Sequence, residues 1–378
     1  MTILDFIIWN GSPEIFSMGS FALRWYGLFF ALGFLISQQV LYYMFKQEGK
    51  PEKDVDTLTI YMVIATIVGA RLGHILFYQP EVIWEEPLSI FLPFELHPFR
   101  ITGLQGLASH GGAFGILFAL WLYARKNKPG QSYLQVVDRI VVVVALTGAL
   151  IRLGNYFNSE IIGKPTDKAY GVVFVNKFTE SVTDRRIDRE GIVQSVVYKH
   201  NDSIPLGSNG RVPLNIYLFF KSGTTELQAT NFAGFNARNV LAHNLYEFFD
   251  AGGDNVAIDV TTTNDGVVAA RMSTFGIARH AAQLYESIAC VVLFILLFAI
   301  WRQYKNNLPP GRLLGIFLIW CFGLRIAFEF LKENQESFED NLILNMGQIL
   351  SIPLVIAGIV ILVRSYRLQR QGNVVTGR

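Results

Sequence analysis

Seven stretches of this sequence, near residues 21–45, 57–79, 108–125, 136–153, 283–301, 312–331 and 346–364, are each mostly apolar over about the 20 residues that a helix needs to cross a bilayer core. A lipid core holds no water to satisfy backbone N–H and C=O groups, so segments of this kind are confined to helices. With 51% hydrophobic and 16% charged residues, the whole chain is too apolar for an ordinary soluble protein of 378 residues. The expected fold class is therefore an all-α polytopic membrane protein with seven transmembrane helices.

Charge placement gives the orientation. Lys and Arg collect in "KQEGKPEK", "RKNKPGQ", "RQYKNNLPPGR" and the tail "RSYRLQRQ", which are alternate ends of the predicted spans and are expected to be cytoplasmic. The opposite connections, "QPEVIWEEPLSIFLPFELHPF" and "KENQESFEDN", are mainly acidic. The N-terminus is expected outside and the C-terminus inside. The first 19 residues lack the basic start and cleavage site of a signal peptide, so the first span is expected to be retained. A net charge of +2 gives no field that would suggest nucleic acid. Cys290 and Cys321 both lie in apolar segments and read as small buried hydrophobes.

Three regions follow: residues 1–163 with helices one to four, an extracytoplasmic domain over 164–280, and residues 281–378 with helices five to seven and a cytoplasmic tail. The middle region reads as β-rich. It shows strand-like stretches in "GVVFVNKF", "GIVQSVVYKH" and "VPLNIYLFF", and turn dipeptides at Asn209-Gly210 and Asp265-Gly266.

Ionisable groups inside a membrane are costly, so each is a candidate for function. In the predicted orientation they gather in the outer leaflet: Tyr26, Arg71, His74, His110, Arg152, Glu286, Arg325, Glu329 and Gln348. A transporter more often places such groups at the midplane. Outer-leaflet arginines suit the phosphate of a lipid headgroup, which a guanidinium can bind through two hydrogen bonds. Arg152, Asn155 and Ser159 share a helical face if the helix runs through Gly154, and Arg325 and Glu329 are four apart on one face. Each also has an ordinary structural explanation. Arg152 can snorkel, Arg325 and Glu329 can pair, His110 can be a satisfied helix histidine, and Trp25 and Tyr26 can anchor at the interface. No Walker loop, HExxH, GxSxG elbow or metal-spaced cysteine pair is present, and the six histidines, at 74, 97, 110, 200, 243 and 280, are scattered.

The stretches "LRWYGLFFALGF", "GARLGHILFY", "SHGGAFG", "IRLGNYFNSEIIG", "RHAAQLYES", "GLRIAFEFLKE" and "NMGQILSIPLVIAG" occur in the order and setting of the motifs of bacterial prolipoprotein diacylglyceryl transferases. The chain resembles that family across all seven spans. The resemblance implies an enzyme of the bacterial inner membrane that moves the diacylglyceryl group of phosphatidylglycerol onto the lipobox cysteine of a prolipoprotein, with its site toward the outer leaflet. It implies His110, Arg152, Arg325 and Tyr26 as catalytic groups: the arginines for the phosphate, His110 as base, and Tyr26 for positioning or proton handling. Asn155, Asn158, Glu160, Gly163, Glu329, Arg71, His280 and Gln283 are implied as substrate-binding. The partners are phosphatidylglycerol, lipobox peptides and the bilayer; no nucleic acid, cofactor or metal is required. The alternatives are a protein that binds or translocates phospholipid without breaking a bond, and a phospholipid hydrolase. Two departures stand out. The outer segment is about 70 residues longer than is usual for the family, around 176–275, and "RHAAQLYE" lacks the proline that commonly follows the histidine.

Overall fold

A computed structural model describes residues 6–18, 21–85, 94–96, 99–101, 108–252, 256–263, 265–332 and 344–375. Of the acidic connections, residues 86–93 and 97–98 of the first and 333–341 of the second lie outside the described residues, His97 among them. The chain divides into two compact units, one of Met1–Phe30, Leu150–Ile288 and Ala327–Met346, the other of Ala31–Ala149, Ala289–Ile326 and Gly347–Arg378.

All seven apolar stretches are helical: α1 (Trp25–Gln47), α2 (Lys53–Tyr78), α4 (Ser109–Ala124), α5 (Tyr133–Phe157), α8 (Ala282–Tyr304), α9 (Arg312–Glu329) and α10 (Met346–Val375), with a short α3 (Val82–Glu85) after α2. Among the described residues five, namely α1, α2, α5, α8 and α10, are long and apolar enough to cross a membrane. α4 has only 16 residues, and the 18 residues of α9 include Arg312, Arg325 and Glu329. The protein is thus a polytopic membrane protein with five helices of spanning character and two shorter or more polar ones.

Within the second unit, small residues bring α2 and α4 into backbone contact. A Cβ placed on Gly73 would lie 2.6 Å from the Gly111 Cα, and one on Gly111 would lie 2.7 Å from the Gly73 Cα. In lipid, where apolar side chains gain little by leaving their solvent, such close packing is the main attraction between helices. The Ala108 N–H donates to the Ala70 carbonyl at 3.0 Å, tying the start of α4 to α2 and fixing where His110 emerges.

The same unit contains a closed polar network. Glu48 accepts from Arg139 Nε at 3.1 Å and Trp301 Nε1 at 2.6 Å, and also pairs with Lys50. Burial alone would raise the Glu48 pKa, but Arg139, Lys50 and Trp301 together hold it below the usual carboxylate value. Asp138, on α5, accepts the backbone N–H groups of Gly311 at 2.7 Å and Leu314 at 2.8 Å, which caps α9.

In the first unit, the segment between α5 and α8 carries β6 (Val172–Phe174), α6 (Asn176–Thr183), β7 (Val193–His200), β8 (Arg211–Phe220), α7 (Glu226–Asn231), β9 (Phe249–Asp250), β10 (Ala257–Thr262) and β11 (Val268–Arg279). Three earlier strands, β1 (Ile7–Trp9), β2 (Glu14–Met18) and β3 (Phe21–Arg24), precede α1, and β4 (Phe94–Leu96) and β5 (Phe99–Ile101) form a hairpin. The main sheet runs β1-β6-β11-β8-β7, with β9 and β10 also pairing β11. β1 and β6 are parallel, and the other pairs are antiparallel. Alternation in "VPLNIYLFF" buries Leu214, Ile216, Leu218 and Phe220 against Phe174, Phe178 and Met272, each contributing on the order of 2 kcal/mol.

The strand-like stretch "GVVFVNKF" is only half strand. β6 stops at Phe174, and Phe178 and Val182, four apart, turn 176–183 into a helix whose apolar face enters the core. The Asp265-Gly266 turn is present between β10 and β11, where Gly266 adopts φ +74°.

Gly111→Leu is expected to lower thermal stability in detergent by the equivalent of about 1–3 kcal/mol or more. Gly27→Ala, whose Cβ would meet nothing within 4 Å, is the matched substitution that should leave the transition unmoved.

Candidate functional site

α5 carries the first part of "IRLGNYFNSEIIG" and ends inside it, at Phe157, in the first unit. The helix does run through Gly154, where a Cβ would come within 3.0 Å of the Tyr26 Cα, so the start of α1 lies directly on this turn. It stops at Phe157, however, and Ser159 does not share the face of Arg152 and Asn155. Ser159 adopts φ +50°, and its hydroxyl donates to Asn176 Oδ1 at 2.6 Å. Ile161 adopts φ +57°, a left-handed conformation that is unfavourable for a β-branched residue. Strain of this kind persists only where neighbours hold it, and it gathers at functional sites.

Those neighbours are polar. Asn155 donates to Glu160 Oε2 at 3.4 Å and Asn158 to Glu160 Oε1 at 3.3 Å, while Gln283 on α8 donates to the Glu160 carbonyl at 2.6 Å. With their NH₂ groups fixed in this way, the oxygens Asn158 Oδ1 and Gln283 Oε1 are buried and accept no hydrogen bond among the described residues. Two unfilled acceptors beside a carboxylate favour hydroxyl or N–H donors, because a buried acceptor left empty costs about 1–3 kcal/mol.

Arg152 approaches Glu286 through Nε at 2.6 Å, a close ion contact without the alignment of a hydrogen bond. Its side chain is 31% exposed, and its terminal nitrogens make no hydrogen bond among the described residues. Lys332 takes the other Glu286 oxygen and lies 3.7 Å from Glu329, which also accepts from Asn345 at 3.2 Å. Sequence reasoning passed over Lys332 because it opens a stretch that reads as acidic. Its position three residues after Glu329 is the signal that could have found it.

Gly163 is a point of close approach. Its N–H donates to the His280 carbonyl at 2.9 Å, its carbonyl accepts from the buried Arg279 at 3.1 Å, and a Cβ there would lie 2.7 Å from the same His280 carbonyl oxygen. His280 Nδ1 lies 3.4 Å from the Tyr285 hydroxyl. The first unit thus brings together Tyr26, Arg152, Asn155, Asn158, Glu160, Gly163, His280, Gln283 and Glu329.

In the second unit, His110 stands in the first turn of α4, its ring edge-on to Phe77 at 4.9 Å and near Tyr78 at 6.4 Å. His74 stacks on Tyr78 at 5.2 Å, and Arg71 lies one turn earlier on α2. Arg325 lies on α9, and Gln348, in the first turn of α10, donates to the Ile326 carbonyl at 3.2 Å. Among the described residues no group of three or more His, Cys, Asp or Glu side chains is placed to hold a metal ion.

Ile161→Asn, which tolerates the left-handed region, is expected to raise the thermal transition by the equivalent of about 1 kcal/mol; an unchanged or lowered transition would show that no strain is stored there. Burial lowers the His280 pKa from its ordinary 6.5. The unfolded chain therefore takes up this proton first as pH falls, so the stabilising contribution is full above about 6.5 and is lost as pH drops through the folded value. His280→Gln should flatten the loss of stability between mildly alkaline and mildly acidic buffer, as followed by thermal unfolding.

Comparison with known proteins places these features in a family. The family model for prolipoprotein diacylglyceryl transferase matches residues 13–364. Proteins named phosphatidylglycerol–prolipoprotein diacylglyceryl transferase are similar to this chain: one from Bacteroides fragilis is 32% identical over 356 residues, 93% of each chain. One from Tolumonas auensis is 31% identical over 95% of this chain and 97% of its own. One from Porphyromonas gingivalis is 31% identical over 97% of both.

Proposed function

The chain belongs to the prolipoprotein diacylglyceryl transferase family, and we propose that it transfers the diacylglyceryl group of phosphatidylglycerol to the lipobox cysteine of prolipoproteins. The cysteine thiolate attacks the glycerol carbon that bears the phosphodiester. A C–S bond forms as the C–O bond breaks, and glycerol phosphate leaves with the electron pair; the thiol proton passes to a base. Such a displacement needs an ionised nucleophile and a stabilised leaving group.

The observation that carries this reading is the Arg152 guanidinium, which meets Glu286 through Nε while its terminal nitrogens make no hydrogen bond among the described residues. That is the geometry a phosphate oxygen pair can occupy. The unfilled acceptors Asn158 Oδ1 and Gln283 Oε1 suit the hydroxyls of a glycerol headgroup. Asn155 and Glu160 shape that pocket, and Gly163 and His280 hold its floor. Arg325 is the second phosphate ligand, with Glu329 orienting charge near it, and Arg71 contributes to lipid binding. His110 acts as the base and Tyr26 as a positioning or proton-handling group. All seven apolar helices cross the bacterial inner membrane, with the sheet-bearing segment and the site on the outer side; the inserted residues around 176–275 form an extracytoplasmic β-rich domain.

The test is a reaction of the purified protein with phosphatidylglycerol and a synthetic lipobox peptide, followed by mass spectrometry. The peptide should gain a diacylglyceryl mass, a cysteine-to-serine peptide should not, and Arg152→Ala should cut the rate by at least about 100-fold, as loss of a charge-stabilising donor typically does. His110→Ala should abolish most turnover while lipid binding persists. Lipid bound with the peptide unchanged, in folded protein, would overturn the transferase in favour of a phospholipid binder.

A further inference from the structure

We infer that Lys332 is a positioning residue for the proposed transfer: by neutralising one oxygen of Glu286, it fixes that carboxylate so that Arg152 is gripped only at Nε and keeps its terminal nitrogens for the phosphate. The inference rests on the reading of Arg152 above.

The geometry is specific. Lys332 is 6% exposed, so its ammonium has left most of its water and must be compensated within the protein. It contacts Glu286 Oε1 and stands 3.7 Å from Glu329 Oε1. Its backbone is fixed as well. Its N–H donates to the Glu329 carbonyl at 3.2 Å, the preceding Leu331 carbonyl accepts from Lys164 at 2.7 Å, and Lys332 bridges Gly163. The ammonium therefore arrives from the Gly163 segment with little freedom to move.

Glu286 is buried, with Arg152 on one oxygen and Lys332 on the other. Without the ammonium, a buried carboxylate would face one guanidinium and could take two of its N–H groups in the usual fork, consuming the nitrogens that phosphate needs. Lys332 also matters for charge. Arg152 and Lys332 balance Glu286 and Glu329, so without Lys332 an arriving phosphodiester would meet one more uncompensated anion.

The experiment measures steady-state transfer from phosphatidylglycerol to the lipobox peptide by the full chain in detergent, for wild type, Lys332→Met, Lys332→Arg, Glu286→Gln and the Lys332→Met/Glu286→Gln pair. Thermal unfolding confirms that each variant is folded. Lys332→Met should raise KM for phosphatidylglycerol on the order of tenfold, in the range of coupling between contacting charges, with a smaller change in kcat. Lys332→Arg should restore most of it, and the double variant should lose no more than the worse single one. If Lys332→Met does not accumulate, Lys332→Gln carries the same comparison. An unchanged KM, a failure of Lys332→Arg to rescue, or losses that multiply in the double variant would overturn the assignment. Wild type without transfer would instead overturn the reading of the enzyme, which keeps the two failures distinct.

Discussion

The candidate site depends on one constraint: a charge removed from water must be answered by another charge or by hydrogen bonds, and the way it is answered decides what remains for a ligand. Glu286 is where this is settled in the first unit. It enters in the opening turns of α8, an apolar helix, and draws Arg152 from the end of α5 and Lys332 from just beyond α9. Three chain segments far apart in sequence are thus fixed by one carboxylate. Replacing either cation would leave a buried anion half-compensated, which is far more costly than losing a surface pair.

Glu160 has the same role just beyond the end of α5, with hydrogen bonds in place of ion pairs. Its carboxylate gathers the amides of Asn155 and Asn158, and its carbonyl holds Gln283. The backbone reaches this arrangement through two left-handed residues, Ser159 and Ile161. A sequence chosen for stability alone would place Gly or Asn there. The hydrogen bond from Ser159 to Asn176 ties the strained segment to α6, so the domain between α5 and α8 takes part in shaping the site rather than merely covering it.

Much of this was legible in the sequence for physical reasons. Lipid leaves only one structure to a long apolar segment, so the seven helices could be read directly, and the cost of a membrane-embedded ion drew attention to Arg152, Glu286 and Arg325. The spanning character of α4 and α9 was less legible, because 16 residues or three ionisable groups weaken a hydropathy signal without preventing a helix. Helix periodicity put Ser159 on the face of Arg152. The chain instead leaves the helix at Phe157, since a hydrogen bond to a residue 17 positions away outweighs local spacing. Lys332 was hidden for a related reason: the spacing to Glu329 marks it as a candidate, but its contact with Glu286, 46 positions earlier, is written in no local pattern. In the same way, Phe178 and Val182 made a helix of what alternation suggested was strand.

Two arginines show how structure separates a scaffold charge from a working one. Arg139 is 2% exposed and spends its guanidinium completely: on Glu48, on the Gln135 carbonyl at 2.9 Å and on the Lys305 carbonyl at 3.3 Å. Each of its three nitrogens has a protein acceptor, so it has little left to offer a ligand without breaking the fold around it. Arg152 is 31% exposed and is held at one nitrogen. By composition the two are alike, the two arginines of one apolar helix. What differs is that the protein has answered the charge of Arg139 and has answered that of Arg152 only enough to aim it. An anion that supplies the missing hydrogen bonds would complete what the protein leaves open, and in the proposed reaction that anion is the phosphate of the lipid.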